Sequence, residues 1–291
     1  MPTALRVVHE EGGRRVLVTD SLTACDATVT GHVVVGGSFA GSLALAFALE
    51  RGARGVVAHE AGVGRDGAGI SGLPLADRHG VAAAAVATLS ARLGDGDSVL
   101  ADGIVSHANA TARALGVAPG MAVRAAARAM LAAEPRGPAP AALVDRTARV
   151  VAQSPAGRVV LVASMGFATA AHRGDVLCAG SHGGRVNATS LLAIRPRGAL
   201  FNDGGLARDR SGVSGLAPLA AAGVPAAAVD AWTARIGDPL STWADGVVSV
   251  VNEGAARAGV RVGDAARTAA LRMLEAVEPF FLGGLRGPAQ D

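Results

Sequence analysis

Residues 31–41, GHVVVGGSFAG, and residues 174–184, GDVLCAGSHGG, are two copies of one sequence pattern. Ser181 follows Ser38 by 143 positions, and the same separation relates the copies from residues 4–131 to residues 147–274. Further matches are GVVAHEAGVGRDGAGISGL (55–73) with GALFNDGGLARDRSGVSGL (198–216), and ADGIVSHAN (101–109) with ADGVVSVVN (244–252). Self-similarity at a fixed separation is the signature of a duplicated structural unit. The chain is therefore predicted to be an internal duplication.

Each copy begins with two Val-rich segments joined by a short turn, which predicts a β-hairpin. Apolar strand segments then alternate with helical segments, which is typical of βαβ units and a mainly parallel sheet. We predict an α/β fold of two tandem Rossmann-like three-layer halves, each starting with a hairpin. The predicted domains are a first repeat at 1–133, a Pro-rich linker at 134–146 and a second repeat with a C-terminal tail at 147–291.

The composition excludes several classes of function. All 27 basic residues are Arg, so Schiff-base chemistry, a Walker-type phosphate lysine and a Ser–Lys dyad are impossible. The net charge is only +3 and aromatic residues are 3% of the chain, whereas nucleic-acid binding usually needs a basic stripe with interleaved aromatics. Two cysteines are too few for a disulfide framework. Neither a signal sequence nor a membrane-spanning run is recognisable, so we expect a cytoplasmic protein without a membrane partner.

The first candidate site is a Gly/Ser turn after the strands predicted at 32–36 and 175–179. Ligands of open parallel sheets bind beyond the carboxyl ends of the strands. Ser38 in one copy, and Ser181 followed by Gly183 and Gly184 in the other, stand at these ends. Such a turn can bind an anion or an oxyanion through backbone N–H groups, present a nucleophilic serine, or only cap a helix. The three alternatives remain open.

The second candidate is an acidic loop after the next strand. His59, Glu60 and Asp66 in the first copy correspond to Asn202, Asp203 and Asp209 in the second. Two carboxylates near a histidine suit general acid and base roles, or binding of a divalent metal. We favour a functional role for Glu60 and Asp203, and helix capping for Asp66 and Asp209. A divalent metal is possible but not favoured, because no HxH, HExxH or CxxC spacing occurs.

The third candidate is the pair Arg92 and Arg235, each followed three residues later by Asp. An Arg at a strand end can anchor a substrate carboxylate, phosphate or imide oxygen, or it can pair internally with the Asp. Asn109 and Asn252 are predicted to lie in the last helix of each copy, in a packing role.

A comparison of the copies separates retained from changed residues. Ser38, Asp66, Arg92 and Asn109 recur in the second copy. The changed pairs are Asp20/Ala163, Phe39/His182, His59/Asn202, Glu60/Asp203 and His107/Val250. Retained residues are what the fold or a symmetric frame requires. The changed residues predict two different sites, or one asymmetric site between the halves.

These residues favour an enzyme acting on a small molecule, specifically a hydrolase of an amide, cyclic amide or ester. Ser181 or Ser38 is the predicted nucleophile or oxyanion donor, with His182 and Asp203 as acid and base groups. Lyase or isomerase chemistry uses the same groups. The alternative from another class is a non-catalytic two-lobed protein that binds a small anion. No cofactor is expected, since GxGxxG is absent from the strand–helix turns. Homo-oligomerisation is possible.

Overall fold

The computed structural model describes residues 4–140 and 143–276 and contains two six-stranded sheets. The strands of the first sheet are β1 (Arg6–Glu11), β2 (Arg14–Thr19), β3 (Val33–Phe39), β4 (Gly55–His59), β5 (Ala82–Val86) and β6 (Val105–Ala108). Those of the second are β7 (Arg149–Ser154), β8 (Gly157–Val162), β9 (Val176–His182), β10 (Gly198–Asn202), β11 (Ala226–Val229) and β12 (Val248–Val251).

Within the described ranges, five α-helices accompany each sheet. In the first repeat they are α1 (Ser42–Leu49), α2 (Gly72–Arg78), α3 (Gly96–Asp102), α4 (Ala110–Arg113) and α5 (Val123–Met130). In the second they are α6 (Arg185–Ile194), α7 (Leu216–Ala221), α8 (Pro239–Asp245), α9 (Glu253–Arg257) and α10 (Ala266–Glu275). Short 3₁₀ turns follow β2, β4, β8 and β10, at Leu22–Ala24, Ala27–Val29, Arg65–Ile70, Met165–Phe167, Ala170–His172 and Arg208–Val213.

Within each sheet the strands lie side by side in chain order. β2 to β5 run parallel, and β1 and β6 pair with them antiparallel at the two edges. The second sheet repeats this pairing from β7 to β12. The prediction of two tandem Rossmann-like halves, each starting with a hairpin, is confirmed.

Helices cover both faces of each sheet and make three layers. Val34 of β3 belongs to one hydrophobic core together with Leu45 of α1 and Leu73 of α2. Val33 and Val35 face the opposite side, where α3 and α5 close a second core. This alternation follows from the two-residue period of a strand, and a strand buried on both faces must be apolar throughout. The second repeat has the same two cores.

Two local predictions from the sequence are wrong. β3 and β9 continue to Phe39 and His182, so Ser38 and Ser181 lie in strands rather than in a turn. The continuation passes through a break in strand register between Val35 and Phe39. β6 and β12 were not predicted, and Asn109 and Asn252 follow them as N-caps of α4 and α9 instead of lying in the last helix.

The segment between the repeats packs on the first repeat. Ala139 and Val144 are buried in the core that α1 and α2 close, and two backbone N–H groups at 143 and 144 donate to the carboxylate of Glu50. The predicted domain boundaries stay a prediction, and the C-terminal tail lies outside the described residues. Among residues 4–140 and 143–276, no helix has the length and apolar character that crossing a bilayer requires.

Candidate functional site

The carboxyl ends of the two sheets face each other across a pseudo-twofold axis. Gly62 and Gly205 meet at this axis: a Cβ on Gly62 would lie 2.9 Å from Cα of Gly205, and the reciprocal distance is 2.7 Å. The backbone N–H of Arg65 donates to the carbonyl of Ala231, and the equivalent N–H of Arg208 donates to Thr88. Reciprocal contacts of this kind define an isologous interface. The residues predicted at the strand ends therefore lie between the repeats.

Arg92 and Arg235 contribute to this interface. Arg92 pairs with Asp95 in its own repeat at 2.9 Å and with Asp209 of the other repeat at 3.4 Å. Arg235 pairs with Asp66 across the interface at 2.8 Å. The two aspartates occupy left-handed backbone positions, and their side chains make no helix cap. The geometry therefore gives these four residues a role in joining the repeats.

A cleft of about 400 Å³ opens between α1 and α6, and we call it the axial cleft. Ser21 and Ser164, which are equivalent residues of the two repeats, line it from opposite sides. Beneath it lies an inner cavity of about 20 Å³, whose walls include Ser38, Ser181 and His182. A cavity this small has room for a water molecule or one ligand atom. The axial cleft has the volume of a small-molecule site.

The two serines at the floor have equivalent hydrogen bonds. The Ser38 hydroxyl accepts from the backbone N–H of Leu22 at 2.9 Å, and the Ser181 hydroxyl accepts from Met165 at 3.1 Å. Each hydroxyl thus ties the loop after the preceding strand to the strand that carries it. Its proton remains available for donation into the cavity, because a hydroxyl both accepts and donates.

His182 is 3% exposed at the floor of the cleft. Its Nδ1 accepts from the N–H of Gly184 at 3.1 Å, which leaves the ring proton on Nε2. No fully buried side-chain nitrogen or oxygen of the described residues lacks a partner. Nε2 makes no hydrogen bond within the described fold, so it is the ring atom that stays accessible from the cavity. Burial, and secondarily the neighbouring His59, lowers the pKa of His182 to about 3. The ring is a neutral donor at neutral pH.

The two walls of the axial cleft differ in character. Phe39, Ala44 and Phe47 line the side of the first repeat, and the equivalent positions of the second repeat carry His182, Asn187 and Ser190. At these three positions the first repeat is therefore apolar and the second polar. This asymmetry is confined to the side chains, since the backbones that carry them are two copies of one unit.

The backbone N–H groups predicted to hold an oxyanion already have partners. Gly183 donates to the carbonyl of Asn202 at 3.0 Å, and Gly184 donates to His182. At the start of α6 the N–H of Arg185 donates to the hydroxyl of Ser214. Ser71 receives the equivalent bond from Ser42 at the start of α1. These bonds hold the strand–helix turns closed.

His59 and Asn202 differ in sequence but make the same hydrogen bonds. Nδ1 of His59 accepts from Ala61 at 2.9 Å, and Nε2 lies 3.1 Å from the carbonyl of Ala91. The oxygen of the Asn202 amide accepts from Gly204, and its nitrogen donates to Ala234 at 3.0 Å. An amide presents an acceptor and a donor as a neutral imidazole does. Burial lowers the pKa of His59, which favours the neutral ring.

Glu60 and Asp203 also occupy equivalent positions, and neither is among the described residues that line the axial cleft or the inner cavity. One oxygen of Glu60 accepts from the backbone and hydroxyl of Thr88. Asp203 accepts from the backbone of Gly205 and Ala231 and from the hydroxyl of Ser249.

The pKa values of these two carboxyls shift in opposite directions. Burial opposes ionisation of Glu60, but hydrogen bonds from Ser106 and Thr88 outweigh it and leave the pKa below its usual value. Burial raises the pKa of Asp203 despite its hydrogen bonds. The acid and base roles predicted for Glu60 and Asp203 stay predictions.

Asn109 and Asn252 make identical networks around the fifth strand of each sheet. Asn109 accepts from the N–H groups of Ala83 and Ala112 and donates to the carbonyl of Val81. Asn252 bonds in the same way to Ala226, Ala255 and Val224. Retention of this residue in both copies therefore has a structural cause.

Across residues 4–140 and 143–276, no group of three or more His, Cys, Asp or Glu side chains is placed to hold a metal ion. Cys25 and Cys178 are buried as free thiols, and burial raises the pKa of both.

Comparison with known proteins returns no matching family model, no matching curated protein and no matching solved structure.

The sequence interpretation missed the residues of the cleft walls. Phe47 lies within α1, and Asn187 and Ser190 lie within α6. These helices are outside the strand ends on which the interpretation concentrated. The comparison of the copies contained a signal for them, because Phe47/Ser190 and Ala44/Asn187 change character between the repeats. Arg51 and Arg146 at the mouth of the cleft were missed too.

Proposed function

We propose that the protein is a two-lobed small-molecule-binding protein whose ligand occupies the axial cleft. The observation that carries the proposal is the state of His182. Its ring is buried and neutral, Nδ1 is bonded within the fold, and Nε2–H remains for a partner in the cavity. An acceptor oxygen on the ligand would give this donor a hydrogen bond inside the cavity, which contributes about 1 kcal/mol net.

The ligand expected at the floor presents an acceptor oxygen, such as a carbonyl, carboxylate or hydroxyl oxygen. The Ser38 and Ser181 hydroxyls line the same inner cavity and can donate to that oxygen as well. The apolar wall formed by Phe39 and Phe47 suits a hydrocarbon or aromatic body.

Hydrolysis of an amide, cyclic amide or ester is a second candidate, favoured by the convergence of two serines and a histidine on one cavity. The geometry supports it less than binding. A serine nucleophile must pass its proton to a base, and His182 with a pKa of about 3 and a bonded Nδ1 is a poor base. Lyase or isomerase chemistry meets the same difficulty, because Glu60 and Asp203 are occupied by backbone and hydroxyl donors.

The test combines thermal shift and turnover assays on small amides, lactams and carboxylates. His182→Phe introduces the residue that the first repeat has there, and His107→Val is the matched control, since it introduces the second repeat's residue at an exposed position. We expect a compound that raises the Tm of the wild type and the control but not of His182→Phe. Equal shifts in all three proteins would overturn the proposal. Turnover by the wild type that His182→Phe abolishes would favour the second candidate.

A further inference from the structure

We propose that the axial cleft selects a carboxylate, which Arg51 and Arg146 hold at the mouth while the apolar body of the ligand points toward the floor. This inference rests on the proposed function, and it adds the chemical class and orientation of the ligand. The ligand would be a small amphipathic acid with a second oxygen at the end opposite the carboxylate.

Charge at the mouth of the cleft has one sign. Arg51 and Arg146 line the outer cleft, and neither Asp nor Glu is among the described residues that line it or the inner cavity. A cleft with low-dielectric walls and charge of one sign concentrates ligands of the opposite sign. Glu50 and Asp26, which interact with these two arginines, lie outside the lining, so the lining itself favours an anion.

The guanidinium groups of Arg146 and Arg51 differ in the contacts that they make with the rest of the protein. Arg146 lies over Phe47 at 5.6 Å and over Phe167 at 5.9 Å, and Glu50 lies 3.5 Å from it. Stacking of this kind restrains a guanidinium without using all its N–H donors. The exposed Arg51 side chain makes no hydrogen bond with any described residue, although its charge helps to lower the pKa of Asp26. Its N–H donors are therefore available for a carboxylate in the cleft.

The difference between the repeats determines the orientation of the ligand in the axial cleft. Ile194 of the second repeat stands where the first repeat has Arg51, so the positive charge comes from one side. Phe47 lies next to it along the apolar wall, and His182 lies at the floor. A ligand meets in succession a cationic mouth, an aromatic wall and a donor at the floor.

The arginines predicted from the sequence do not offer this chemistry. Arg92 and Arg235 are already paired with Asp209 and Asp66 across the repeat interface. A carboxylate there would have to displace an existing ion pair, whereas no described carboxylate is hydrogen-bonded to Arg51 and Asp26 only interacts with it electrostatically.

The probe is 4-hydroxyphenylacetate, which has a carboxylate, an aromatic body and a distal hydroxyl. 4-Hydroxyphenylacetamide lacks the negative charge, and phenylacetate lacks the distal oxygen. We expect the acid to bind the full chain about tenfold more tightly than the amide in isothermal titration at low salt, and raised salt to reduce the difference. Arg51→Gln should weaken the acid about tenfold and leave the amide unchanged. Arg78→Gln, an exposed arginine outside the cleft, is the control of equal charge.

The outcomes separate the inference from the proposed function. Equal affinity for acid and amide, or equal effects of Arg51→Gln and Arg78→Gln, would overturn carboxylate selection. In that case, loss of the preference for 4-hydroxyphenylacetate over phenylacetate in His182→Phe would still support the proposed function. Absence of binding by acid and amide alike would count against both. A Tm for Arg51→Gln equal to that of the wild type shows that the variant is folded.

Discussion

The two repeats make the same hydrogen bonds at the ends of their strands and yet line the axial cleft with different side chains. His59 and Asn202 illustrate the first point, since an imidazole and an amide satisfy equivalent backbone groups. Phe39 and His182 illustrate the second, because one contributes an aromatic face and the other a buried donor. A change between copies therefore does not by itself mark a site. The change matters where the side chain faces a cavity rather than the backbone.

The close contact between the repeats at the pseudo-twofold axis can be tested by substituting glycines. Gly62→Ala should destabilise the protein by about 2 kcal/mol more than Gly67→Ala, because the new Cβ would approach Cα of Gly205 to 2.9 Å. Both glycines have a φ near +70°, at +78° and +67°, and a Cβ on Gly67 meets nothing within 4 Å. The difference between the variants in urea unfolding thus isolates the close approach from backbone strain. Equal destabilisation would mean that the repeats do not meet as described.

The equivalence of His59 and Asn202 predicts how stability depends on pH. Burial lowers the pKa of His59 in the folded protein, so the unfolded chain takes up the proton first on acidification. The contribution of the neutral His59 ring to the free energy of unfolding is complete above the unfolded pKa near 6.5. It is lost as the pH falls toward the pKa of His59 in the folded protein. Each histidine with such a lowered pKa adds about 1.4 kcal/mol per pH unit to the slope of unfolding free energy against pH in this range. His59→Asn should keep the hydrogen bonds but remove the part of the pH dependence due to His59 between pH 6.5 and 5. Urea unfolding at several pH values measures this change.

Three variants serve as controls for that measurement. His59→Ala removes the same proton but leaves the Ala61 N–H and the Ala91 carbonyl unpaired, so it should be about 2 kcal/mol less stable than His59→Asn at every pH. His182→Phe should also flatten the profile, since its pKa of about 3 gives the same sign. Asn202→His should steepen it. An unchanged slope in His59→Asn would contradict the lowered pKa of His59 and the burial that causes it.

The smallest expected effect concerns the ion pairs between the repeats. Arg92→Gln or Arg235→Gln should each cost less than about 1 kcal/mol of unfolding free energy, and high salt should reduce the cost, because the partners are about half exposed. Neither variant should alter the thermal shift given by a cleft ligand. Loss of that shift in Arg92→Gln would restore the role of substrate anchor that the sequence indicated.

Much of the fold was predictable because it depends on local pattern. Alternation of Val-rich strands with helices defines the parallel units, and the constant separation between equivalent residues reveals the duplication. The edge strands β6 and β12 were missed because four-residue strands carry little periodicity. The extension of β3 to Phe39 was missed because two glycines in succession indicate a turn when tertiary pairing is ignored.

The site was only partly predictable. The strand-end rule selected Ser38, Ser181 and His182, and the structure brings these three residues together at the inner cavity. It also selected Glu60 and Asp203, whose oxygens the structure uses for backbone and hydroxyl hydrogen bonds. Whether a carboxylate faces a ligand or a backbone N–H depends on a loop from elsewhere in the chain, and a single sequence does not encode that as a local pattern.

By itself the sequence determined the duplication, the α/β class and the alternation of strands and helices, because each is written in residue periodicity. Only the tertiary structure decided that the two sets of strand ends face each other across an axis. That packing joins Arg92 to Asp209, buries His182 against Gly94 and opens the cleft between α1 and α6. These contacts join residues far apart in the chain, and their geometry follows from how the two repeats pack rather than from any local run of residues.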